Sequence, residues 1–242
     1  LCREDGIRLL VGTSGFSYKE WLGSFYPEDL PAGEMLHAYG EKLPAVEINN
    51  TFYRLPKASV LDSWASQVPA GFRFVLKASR RITHIKRLNE AGEETAYLYR
   101  TAEALGKRLG GILFQLPPNL KKDIVRLRLF LDQVPDPGNA AFEFRHPTWQ
   151  DDEVFDELRG RGCALCIADT DEEPATSLVA TASWGYLRLR RTDYSEADLK
   201  SWAQRVQQQG WKSLFAFFKH EEAGTGPKLA LRFLEVCSGH AL

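Results

Sequence analysis

Eight short β-type runs, separated by helical patterns or loops, constrain this chain more than any other feature. The runs are RLLVGT (8–13), AVEIN (45–49), FRFVLKA (72–78), GILFQL (111–116), AAFEFR (140–145), ALCIAD (164–169), YLRLR (186–190) and SLFAFF (213–218). Segments 59–68, 94–110, 152–162 and 195–210 between them carry apolar residues at helical spacing and tend to end near Gly. In the last of these, Ser195 stands as an N-cap before a stripe of Leu199, Trp202 and Val206. After the eighth run, 226–236 starts with Pro227 near its first helical position. Only the stretch after the sixth run, TDEEPATSLVATAS, reads mostly as loop. Eight β units with crossovers in 242 residues match a (β/α)8 TIM barrel, an α/β fold of typically about 250 residues. No linker or low-complexity tract interrupts the alternation, so residues 1–242 are expected to form a single domain.

The runs carry a second message, because successive strand side chains point to opposite faces. Val46 and Ile48 oppose Glu47 and Asn49; Phe142 and Phe144 oppose Glu143 and Arg145; Leu187 and Leu189 oppose Arg188 and Arg190. Lys77 and Gln115 end the polar face of their runs, and Asp169 and Lys219 close the sixth and eighth. If the continuously apolar face meets the helices, these polar residues converge on the C-terminal mouth, where barrel enzymes keep their active sites. A buried network of ion pairs is the structural alternative, but polar ends on seven strands favour a functional pocket.

Charge narrows the partners. The net charge of −1 gives no whole-molecule attraction to nucleic acid or an anionic membrane, and no apolar run approaches a membrane span. The N-terminus lacks the order of a secretory signal, although it begins without Met, so a cytoplasmic location is expected. Cys163 and Cys166 have CxxC spacing but open an apolar run, which points to buried structural thiols. The polar column itself holds more bases than acids, and arginine forks suit a carboxylate or phosphate. Gly224-Thr225-Gly226, before the last helix, is a weak further hint of an anion site, with Glu221 and Glu222 beside it arguing against.

At these residues the chain resembles the YecE-like proteins, domain of unknown function 72. The carriers are VGTSGFSYKEW (11–21), FYP (25–27), VEINNTFYRLP (46–56), FRFVLKASRRITH (72–84), LFQLP (113–117), FEFRHPTW (142–149) and the aspartate of IAD (167–169). The resemblance covers nearly the whole chain; it implies a TIM barrel and no assigned reaction. Many members of that family carry Arg-x-His-Gly in the seventh strand, whereas this chain reads Arg188-Leu189-Arg190-Arg191, leaving His220 as a substitute histidine.

The expected function is an enzyme acting on a small anionic, phosphorylated or carboxylated, sugar-like ligand. Glu47, Glu143 and Asp169 are the candidate acids or bases, and Lys77, Arg145 and Arg188 would hold the anion. Asn49, Tyr53, His84, Gln115, His146, Trp149 and Lys219 complete the candidate ligand-binding set, with Tyr18, Trp21 and Phe52 as further walls. No cofactor is evident, but Glu47, Glu143 and Asp169 with His84 or His146 also make a conceivable divalent-metal set. Arg80, Arg81, Lys86 and Arg87 form a basic run that fits the alternative of nucleic-acid binding or phosphodiester hydrolysis. A non-catalytic ligand sensor is the third reading. Oligomeric state is not legible.

Overall fold

The eight runs pair in parallel, each with the next in sequence, and the last returns to the first, so the sheet closes. The computed structural model describes residues 6–175, 177–219 and 224–239. Its strands are β1 (Arg8–Ser14), β2 (Ala45–Ile48), β3 (Arg73–Lys77), β4 (Leu109–Gln115), β5 (Ala140–Glu143), β6 (Ala164–Asp169), β7 (Trp184–Leu189) and β8 (Ser213–Phe218). The helices are α1 (Met35–Lys42), α2 (Ala58–Ser66), α3 (Gly92–Ala102), α4 (Ile124–Leu131), α5 (Asp152–Arg161), α6 (Glu196–Gln207) and α7 (Thr225–Cys237). Seven crossovers and one closing helix surround a TIM barrel.

Strand alternation divides the apolar residues into two cores. Outward side chains such as Val46, Phe74, Phe114, Phe142 and Leu187 pack under the helices. Inward ones, among them Leu10, Val75, Leu113, Trp184, Tyr186, Phe215 and Phe217, fill the barrel. The lumen is therefore packed below its C-terminal mouth. Gly12 lets β1 and β2 approach: a Cβ there would lie 1.8 Å from the Ala45 carbonyl oxygen. Tyr39 of α1 locks the same seam, since its hydroxyl accepts from the Thr13 N–H and donates to the Ala45 carbonyl.

Two helices escape a reading by apolar period. In α4 the run IVRLRLFL leaves Val125 and Leu129 exposed, which blurs its stripe, and α1 has Gly40 near its end. Between β6 and β7 the described residues hold no helix, as expected of that stretch; there Thr181 accepts from the Leu165 N–H and donates to the Cys163 carbonyl. No helix among the described residues is long and apolar enough to cross a membrane.

The expected cap at Ser195 is a full capping box: Ser195 Oγ accepts from the Asp198 N–H, and the Asp198 carboxylate accepts from the Ser195 N–H. Replacing Ser195 by Ala removes one side of it and should lower stability by about 1 kcal/mol, read as a lower urea midpoint at unchanged slope.

Candidate functional site

The C-terminal mouth is organised by one guanidinium. Arg188, on β7, reaches across the lumen; its Nη2 donates to Glu47 Oε1 on β2 at 2.8 Å. Its Nη1 donates to Glu143 Oε2 on β5 at 2.7 Å and to Gln115 Oε1 on β4 at 3.2 Å. Arg188 is only 2% exposed, and both carboxylates are as deeply buried. Each carboxylate has further donors. Glu47 Oε1 also accepts from Ser14 Oγ and Asn49 Nδ2, and its Oε2 accepts from the Tyr186 hydroxyl at 2.7 Å. Glu143 Oε1 accepts from Arg145 Nε at 2.9 Å. Burial of ions is tolerated here because nearly every lone pair is met.

These contacts decide which groups hold protons. Burial by itself would raise the Glu47 pKa, but Arg188, Arg190 and the Tyr186 hydroxyl more than offset it and hold it down to about 2. Glu143 is likewise held below the usual range: burial opposes ionisation, and Arg188 and Arg145 prevail. Lys77 moves the other way. Burial, reinforced by Arg188, lowers it to about 8, and its ammonium lies 4.5 Å from the centre of the Phe52 ring. His84 packs edge-on against the same ring, bonds through Nδ1 to Thr83 Oγ1, and is depressed by burial and then by Lys77 and Arg145. Arg190 shares the mouth, 3.5 Å from Ser14 Oγ; burial and Arg188 lower its pKa. His220, the substitute histidine of the sequence reading, lies outside the described residues. Tyr18 closes one side, its hydroxyl on the Ser14 carbonyl and its pKa raised to about 12 by burial and Glu47.

Other candidates fall elsewhere. Asp169 shares the outward parity of Leu165 and Ile167, under the helices. It does not join the polar column: its carboxylate accepts from the Ala175 N–H and the Tyr194 hydroxyl and faces Arg191 at 3.5 Å, tying down the loops after β6 and β7. Trp149 is no pocket wall either. It is fully buried, stacked on Phe144 at 4.6 Å, with its Nε1 donating to the Leu120 carbonyl. Trp21 is buried among Phe25 and Tyr26. His146 Nδ1 accepts from the Thr148 N–H and so caps the turn that carries Trp149. Tyr53 stands on the rim, 74% exposed. Lys219 follows the inward Phe217, within electrostatic reach of Asp171. Cys163 and Cys166 are free, buried thiols.

Two contributors were not singled out by sequence. Ser14 lies one residue beyond the run read as strand one, and Tyr186 sits two residues before Arg188 on the same face. Parity carried onward from Gly12 and back from Arg188 would have found both.

With Asp169 turned away and Arg188 lodged between the two glutamates, the conceived metal set does not assemble. Among the described residues no three His, Cys, Asp or Glu side chains gather to hold a metal ion. The basic run is half neutralised, since Arg81 and Lys86 both bind the Glu94 carboxylate, at 2.7 and 2.8 Å. Gly224, in the left-handed region, is the N-cap of α7; Glu221 and Glu222 lie outside the described residues.

A family model described as "Protein of unknown function DUF72" matches residues 10–241. The chain belongs to the DUF72 family. A DUF72 family protein of Thermotoga maritima has a solved structure that superposes with a TM-score of 0.84 at 26% identity, covering 96% of this chain and 99% of that one. UPF0759 protein YunF of Bacillus subtilis is 22% identical over 94% of each chain. UPF0759 protein YecE of Escherichia coli is 32% identical over 113 residues, a match that spans 46% of this chain and 42% of that protein. Phosphoribosyl anthranilate isomerase of Thermotoga maritima, at 11% identity and a TM-score of 0.50, shares the fold alone.

Breaking the central arrangement has a definite cost. Arg188→Leu in this DUF72 barrel leaves two buried carboxylates without their cation and should cost about 3–5 kcal/mol at pH 7, with partial recovery toward pH 5 as they bind protons. In the unaltered protein the folded pKa of Glu47, about 2, lies below its ordinary 4.5. Its contribution should be complete above pH 4.5 and lost as pH falls toward 2. Denaturant titrations across pH for both proteins check these signs.

Proposed function

We propose that the C-terminal mouth binds a small anionic, sugar-like ligand and performs acid–base chemistry on it, of isomerase or hydrolase type, with Lys77 rather than a glutamate as the proton-transferring group. One observation carries this reading: around the floor, two carboxylates face four cations, Lys77, Arg145, Arg188 and Arg190. Both carboxylates are already engaged by arginine. The excess positive charge therefore falls mainly on Lys77 and Arg190, beside Arg145 already paired with Glu143, and a phosphate or carboxylate there offers relief from like-charge repulsion.

Hydroxyl groups suit the floor for a separate reason. Arg188 Nε and Asn49 Oδ1 are buried and have no partner among the described residues. A missing partner for a buried polar atom costs about 1–3 kcal/mol, and a ligand hydroxyl accepts from one such atom and donates to the other.

The assignment of roles follows the protonation states. Glu47, held near 2, and Glu143, held below the usual carboxylate range, are poor proton donors and weak bases at neutral pH, so both orient and hold Arg188. Lys77, lowered to about 8, exchanges its proton close to working pH. Asn49, Gln115, His84 and Tyr53 shape the approach, and Arg145 and Arg190 grip the anionic group.

Isothermal titration with inorganic phosphate and a panel of sugar monophosphates tests this. Affinity for at least one sugar phosphate should exceed that for phosphate, and it should fall as pH rises from 7 to 9 while Lys77 loses its proton. Lys77→Met should flatten that pH profile and weaken binding at least tenfold at pH 7. A profile unchanged by Lys77→Met, or no sugar phosphate bound better than phosphate, would sink the proposal.

A further inference from the structure

The opposite end of the barrel holds a second concentration of positive charge. Arg8 and Arg73 open β1 and β3, at the N-terminal mouth, with the inward parity of Leu10 and Val75. Together with Arg108, just before β4, they converge on one turn, residues 68–72, between α2 and β3. Arg108 Nη2 donates to the Val68 carbonyl at 3.2 Å and its Nε to Pro69 at 3.4 Å. Arg73 Nη1 donates to Ala70 and Phe72 at 3.1 and 2.8 Å, and Arg8 Nη2 to Gly71 at 3.1 Å. Every carbonyl from 68 to 72 thus receives a guanidinium.

Carbonyl oxygens orient these arginines without neutralising them. Among the described residues none of the three forms an ion pair with a carboxylate. Arg73 feels the result: burial, then Arg8 and Arg108, disfavour its charged form. Each guanidinium carries five N–H donors in a fixed fork, so most remain available after the turn is bound.

The arginines border a cavity. It has a volume of about 210 Å³ and is lined by Arg8 and Arg73 and by Leu10, Trp184 and Phe215, the last three only 4–9% exposed. The indole N–H of Trp184 is already bound to the Gly138 carbonyl, so Trp184 adds no donor to the cavity. A cavity of about 150 Å³ is enough to hold a benzene ring. The space here suits such a ring with a small charged group attached.

We infer that this N-terminal cavity is a binding site for a small planar organic anion of the aryl carboxylate class, its carboxylate on Arg8 and Arg73 and its ring on Leu10, Trp184 and Phe215. The site lies at the far end of the barrel from the mouth that holds Lys77, and it does not depend on what that mouth does. Positive charge alone would favour any anion. The cavity volume and the exposed edges of Trp184, Phe215 and Leu10 favour one with a flat hydrocarbon body, because burying that body removes apolar surface from water.

Fluorine NMR of 4-fluorobenzoate, titrated with the full chain, reads this site directly, with inorganic phosphate as competitor. The inference expects saturable binding with a dissociation constant below about 1 mM, a tenfold or greater loss in both Arg8→Gln and Arg73→Gln, and an unchanged constant in Lys77→Met. Glutamine retains an N–H for the 68–72 turn, and circular dichroism confirms that each variant is folded. No saturable binding up to 10 mM overturns the inference. So does equal loss in Lys77→Met, which would move the ligand to the other mouth, or displacement by equimolar phosphate, which would leave Leu10, Trp184 and Phe215 without a role.

Discussion

The geometry of this barrel depends on the cation held between two buried carboxylates. Without Arg188, Glu47 and Glu143 would face a lumen otherwise lined by hydrocarbon below them, and both would bind protons or force the mouth open. With it, Ser14, Asn49, Gln115, Arg145 and Tyr186 have fixed anionic or amide oxygens to bond or a cation to share. One guanidinium therefore ties β7 directly to β2, β4 and β5, and β1 joins through Ser14. Such a polar plate is costly to bury and gains stability mainly by being complete. Its rigidity also defines the floor against which any ligand must fit.

How far the sequence discloses this can be judged residue by residue. The phase of β2, β3, β4, β5 and β7 is legible because their outward positions are apolar without exception, so Glu47, Lys77, Gln115, Glu143, Arg145 and Arg188 are correctly brought together. Asp169 deceives because β6, ALCIAD, is apolar on both faces up to its last residue. Alternation then gives no phase, and only the packing of Cys166 into the lumen and Ile167 beneath the helices shows which way the aspartate turns. Trp149 and His146 deceive differently: they follow a strand in a motif rich in site residues, yet their polar atoms are taken up by the Leu120 carbonyl and the Thr148 N–H. No local pattern foretells a partner 29 residues away. The three arginines at the other mouth are equally hidden, since Arg8, Arg73 and Arg108 become neighbours only when the barrel closes.

Removing Asp169 from the mouth changes its chemistry as well as its membership. An acid fewer leaves the cations in clearer excess, and the two remaining acids are both committed. The same arginine that holds Glu47 and Glu143 ionised also disfavours a further positive charge close by, and so helps burial to depress Lys77. The placement of Arg188 thus builds a structural ion network and adds to the burial that lowers Lys77 to about 8.

Arg190 extends this logic. Two residues after Arg188 the chain places a second arginine in the mouth, a group that stays charged and exchanges no proton at physiological pH. Of the groups left to move protons there, His84 is pushed toward its neutral form by burial and by Lys77. Lys77 itself is lowered from the usual lysine range to about 8. On the proposed reading, this chain assigns proton transfer to Lys77 and gives position 190 to anion binding. An arginine there strengthens the grip on a phosphate or carboxylate through its fixed fork of donors without adding a second titrating group.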